Sequence, residues 1–132
     1  MTLTQLHYTL AVAEQGNFTK AAEKCLDKSQ FDNTDIDLLI HASVCRDFVE
    51  PATASVVHAN LGLRDDCILF DLSNACLGVL SGIIQASTMI EQGFIKTALI
   101  VSGENAGPLL ESTIDFLNSN TELTRKTIKK YM

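Results

Sequence analysis

FDLSNACLGVLSGI, residues 70–83, joins two residue patterns. Its first residues continue the apolar run CILFDLS, residues 67–73, which has the length and composition of a strand covered on both faces. Residues 76–92 then read as a helix that stops at Gly93. Cys76 stands at the joint. In open parallel sheets, sites form at the carboxyl ends of strands, where a tight turn presents a side chain at a helix N-terminus. The unpaired N–H groups and the helix dipole there favour a thiolate. Position alone leaves two readings of Cys76 open: a nucleophile, or a small buried hydrophobe, the common fate of a free cysteine.

Working outward, two more segments repeat the strand pattern: IDLLIHASV at 36–44 and KTALIVSG at 96–103. Between the first two strands, ATASVVHANLG at 52–62 reads as a helix, with Pro51 suited to its first turn and Gly62 as its stop. A further helix is expected over 108–118. The order βαβαβα predicts an α/β fold, with helices packed on a mostly parallel sheet. Ahead of it, residues 2–15 place Leu3, Leu6, Leu10 and Ala13 at helical spacing, and FTKAAEKCLDK at 18–28 reads as a second helix.

The 132 residues carry a formal charge of -6, and 46% of them are apolar. This is enough for one packed core, with no electrostatic reason to approach nucleic acid or anionic lipid. The one basic run, RKTIKKYM at 125–132, is short. Four cysteines at spacings of 20, 22 and 9 fit neither a C-x-x-C redox motif nor paired zinc ligands. They read as reduced thiols of a cytoplasmic protein, and no secretory signal, membrane span, metal or cofactor is expected.

Residues 35–118 resemble the N-terminal half of ketoacyl-acyl-carrier-protein synthase III enzymes of the thiolase superfamily. The motifs that carry the likeness, in the family's order, are DIDLLIHASV at 35–44, EPATA at 50–54, LGL at 61–63, FDLSNACLG at 70–78 and ALIVSGE at 98–104. RDFVEPATA at 46–54 looks closest to the branch that condenses two long acyl chains head to head, toward long-chain olefins.

The resemblance implies that Cys76 is acylated by an acyl-CoA or acyl-carrier-protein thioester. A carbanion from a second substrate then attacks the acyl-Cys. In that branch a glutamate at the position of Glu50 reaches the partner subunit's site as general base, so a homodimer or other self-association is implied. A carboxylate near a thioester alpha carbon suits proton abstraction when burial raises its pKa; a solvated loop carboxylate remains the alternative for Glu50. Gly78 and Gly82 keep one face of the helix small, for close approach by backbone or by an acyl chain. Asp71 and Asn74 are expected to cap or brace the turn that presents Cys76. His41 and His58 read as packing or surface residues, and Glu104 as a brace for neighbouring backbone.

Two departures qualify this expectation. The family's oxyanion-stabilising histidine and asparagine come from a C-terminal half that is not among these residues, and losing one such donor costs roughly a hundred- to a thousandfold in rate. Residues 1–25, meanwhile, resemble the opening of LysR-type regulators, without the recognition helix that reads DNA. The division expected is a helical segment at 1–28 and a partial thiolase-like domain at 29–132. Two readings compete with a crippled acyltransferase: a partner-dependent, non-catalytic fragment, and a LysR-like DNA-binding module.

Overall fold

The computed structural model describes residues 10–12, 18–46, 50–104 and 106–119. Strands β1 (Leu10–Val12), β2 (Leu38–Ala42), β3 (Ile68–Leu72) and β4 (Ala98–Ser102) form one sheet in the order β1-β4-β2-β3, and every pairing is parallel. The helices are α1 (Phe18–Asp27), α2 (Thr53–Leu61), α3 (Gly78–Glu91) and α4 (Gly107–Ser119).

Every residue of β2 is buried, as a continuous apolar run in a central parallel strand requires. Alternation along the strands sorts the core into two layers. Leu39, Leu99 and Val101 meet Ala22 and Cys25 of α1 and Val57 and Leu61 of α2. Leu38, Ile40, Ala42 and Ile100 face Ala86 of α3 on the other side. Helix α3 buries a stripe of small residues, Gly78, Gly82 and Ala86, against β2 and β4. At Gly62, φ is +60°, the left-handed conformation that lets the chain leave α2.

Three local expectations need correction. Leu10–Val12, part of the helix read over residues 2–15, pair with Ile100, Val101 and Ser102 as a strand. A short apolar run suits either pattern, and the open edge of β4 supplies the hydrogen bonds that decide. The rest of that helix falls largely outside the described residues. Pro51 lies before the N-cap of α2, Ala52, and so outside the first helical turn. Gly78 and Gly82 are consumed by packing: an added β-carbon would stand 3.4 Å from Ala42 Cβ at the first and 3.3 Å from Ile100 Cγ2 at the second. Their small face meets the sheet, not a ligand.

Candidate active site

Cys76 sits in a single turn of 3₁₀ helix, Ala75–Leu77, between the carboxyl end of β3 and the start of α3. Ala75 has φ +42°, a left-handed conformation costly for a residue with a β-carbon. The turn is held from both sides. Asn74 Nδ2 donates to Ser81 Oγ at 2.7 Å, Leu77 N–H to Asn74 O at 2.9 Å, and Ser73 Oγ to Ser43 O at 3.1 Å. Asn74 therefore braces the turn as expected.

The thiol is free and exposed, which removes the buried-packing reading of Cys76. The adjoining end of α3 has no acidic residue in its first turn and no side-chain cap at Leu77. Its terminal N–H groups have no side-chain acceptor at the N-cap, next to the Cys76 turn.

Glu50 is exposed, in the connection between β2 and α2. Because β2 and β3 are parallel neighbours, this connection and the Cys76 turn leave the same end of the sheet. Both ends of the Glu50 connection are gripped by carboxylates. At its start, Glu104 accepts the N–H groups of Val44 at 2.8 Å and Cys45 at 2.6 Å, which bears out its reading as a backbone brace. Burial pushes Glu104 up, but these two N–H groups, Ser43 and His41 together leave the carboxyl below its ordinary value.

At its end, Asp71 takes a role different from the one expected. Its carboxylate accepts Thr53 N–H at 2.9 Å, Ala54 N–H at 2.8 Å and Arg46 Nη1 at 3.0 Å. It caps α2 from the neighbouring strand, leaving the Cys76 turn to Asn74. Burial acts to raise its pKa, but the Ala54 and Thr53 N–H groups, the Arg46 guanidinium and His41 together lower it. His41, wholly buried with Nδ1 3.5 Å from Asp71 Oδ1, has its pKa lowered chiefly by burial and partly restored by Asp71. It is a neutral packing residue. His58 Nε2 lies 2.9 Å from Arg64 O, a structural contact. Sequence reasoning missed Arg46 because its partner lies 25 positions away on another element.

A cleft of about 680 Å³ lies at the opposite, amino end of the sheet, with Phe31, Asp37, Arg64 and Lys96 in its wall. Asp37 is occupied there by Lys96 N–H at 2.7 Å and Arg64 Nη2 at 2.8 Å, far from the Cys76 turn in the topology.

Residues 70–124 match the family of 3-oxoacyl-[acyl-carrier-protein] synthase III, and the match begins at the first residue of the Cys76 stretch. Over these 55 of its 132 residues the chain resembles that family. Among curated synthase III relatives, the enzyme of Neisseria meningitidis is 32% identical over 92 residues, 70% of this chain and 29% of its own length. The acyl-CoA:acyl-CoA alkyltransferase of Xanthomonas campestris is 45% identical over 101 residues, 76% of this chain and 30% of its own.

Solved structures of Xanthomonas campestris OleA superpose with a TM-score of 0.72 at 39% identity, covering 85–86% of this chain and 33–34% of theirs. One is a Cys-to-Ser variant with bound lauric acid and lauroyl-CoA; another is a Glu-to-Gln variant. The fold is therefore thiolase-like, as the motifs implied. The chain spans about a third of the length of the relatives it matches.

Proposed function

We propose that this chain carries the nucleophile and the base of an acyl-condensing site. Cys76 accepts an acyl group from a thioester, the thiol leaving group departs, and Glu50 removes an alpha proton from a second thioester. The resulting carbanion attacks the acyl-Cys, as in fatty acid or long-chain hydrocarbon synthesis. The observation that carries this reading is the exposed Cys76 thiol in a braced turn ahead of the side-chain-uncapped N-terminus of α3.

The relatives' chemistry supports it. The cysteine and the glutamate altered in the two OleA structures are 26 positions apart, the same separation as Cys76 and Glu50. Acyl transfer to Cys76 is the first of these steps and the one that needs only this thiol. By the family's pattern, Glu50 serves the Cys76 of a second copy. The four free thiols fit a reducing cytoplasm, and among the described residues no helix is long and apolar enough to cross a membrane.

Incubation of the chain with lauroyl-CoA tests the reading through release of free CoA. A burst approaching one CoA per chain that disappears in Cys76→Ala is expected; release that persists in the variant contradicts it.

A second reading, a fragment that acts only with a partner, is favoured by the apolar surface of α3 and α4. Ile84 is 68% exposed and Leu109 61%, and α4 buries none of its residues. The LysR-like reading loses support, since Leu10–Val12 form a strand and α1 buries Ala21, Ala22, Cys25 and Leu26 in the core beneath the sheet.

A further inference from the structure

Helix α2 lacks a cap of its own: Ala52 occupies the N-cap position and has no side-chain oxygen. A short side chain immediately before the helix ordinarily supplies that acceptor. Here it comes from Asp71 on β3, which accepts the N–H groups of the first two helical residues and also holds Arg46. Glu50 lies between these anchors in sequence, four residues after Arg46 and three before Thr53. Five residues after Asp71 comes Cys76. One side chain, 4% exposed, therefore ties the connection that bears Glu50 to the strand that bears Cys76. A cap drawn from within the connection would stabilise α2 equally well but would not register it to β3.

We propose that Asp71 is a positioning residue for Glu50, fixing the connection that bears the base to the body of its own chain through Arg46, Thr53 and Ala54, so that Glu50 is presented in register to the Cys76 of a second copy. The inference rests on the reading of Glu50 as base. In that step the C–H bond alpha to the thioester breaks, the proton passes to the Glu50 carboxylate, and the electron pair stays on the substrate as an enolate. A misplaced base loses rate steeply, since even a 1 Å displacement of a reacting group costs about a hundredfold. Acylation of Cys76 does not use Glu50 and so is insulated from this loss.

The test follows two reactions of the intact chain with lauroyl-CoA in deuterated buffer: acyl transfer to Cys76, and deuterium uptake at the alpha carbon of recovered thioester. Asp71→Asn is expected to cut deuterium uptake about a hundredfold while leaving Cys76 acylation near the wild-type rate. In a Glu50→Gln background it should cause no further loss. Amide hydrogen exchange is expected to show Thr53 and Ala54 losing protection in Asp71→Asn, with β2 and β4 unchanged. Equal loss of both reactions, additive losses in the double variant, or unaltered protection at Thr53 and Ala54 would each overturn the proposal. A wild-type chain that acylates Cys76 without Glu50-dependent uptake overturns it together with the base assignment. Failure of acylation itself removes the nucleophile reading.

Discussion

A β-carbon at Gly82 would press on Ile100 Cγ2 at 3.3 Å, whereas one at Gly78 would make ordinary contact with Ala42 Cβ at 3.4 Å. The two glycines therefore respond differently to enlargement. Gly82→Val overpacks the interface between α3 and the sheet and is expected to destabilise by about 1–3 kcal/mol. Gly78→Ala gains helix propensity and is expected to stabilise by up to about 1 kcal/mol. Urea denaturation of both variants checks the pair.

Acid sensitivity is also set by single residues. The folded-state pKa values of Asp37, Asp71 and Glu104 are all lowered, so each contributes stability that is fully present above the ordinary carboxylate range, near 4. That stability is lost as pH falls through the lower folded values. His41, lowered by burial, adds an earlier loss that begins near the ordinary histidine value of 6.5. Denaturation midpoints measured across pH should fall in two stages, and His41→Phe should remove the upper one. Asp71→Ala, which strands two N–H groups and Arg46, is expected to cost about 2–3 kcal/mol at pH 7.

At the scale of elements, the three core strands were legible because β2 and β4 show long apolar runs and β3 ends in a polar turn. Gly62 and Gly93 marked helix ends correctly, with φ of +60° and +76°. What was not legible depends on partners distant in sequence. Nothing in the string LAV says that it will pair with Ile100, Val101 and Ser102, so Leu10–Val12 read as helix. Nor does FDLS say that Asp71 will cap a helix that begins 18 positions earlier. The glycines of α3 were visible as a small face, but only the sheet shows what fills it. The location of Cys76 was readable from its own neighbourhood; its exposure required the fold.

Across the whole molecule, apolar residues remain uncovered on α3, the turn before it and α4: Leu77 in the turn, Leu80 and Ile84 on α3, and Leu109, Leu110, Ile114 and Leu117 on α4. Exposed apolar side chains in such number favour association in soluble proteins. The chain is expected to self-associate and to bind a hydrophobic dye strongly, as read by light scattering and fluorescence. A dye-silent monomer would show instead that these helices are covered within the chain itself.

Of the four cysteines, Cys76 is the one proposed to accept an acyl group. The direct measurement is peptide mapping of the chain after brief exposure to lauroyl-CoA, comparing acyl occupancy at Cys25, Cys45, Cys67 and Cys76. A thioester on Cys76 is expected, with Cys25 and Cys67 protected by burial and Cys45 labelled far more slowly. Equal labelling of Cys45 and Cys76, or no acyl group on Cys76, would contradict it.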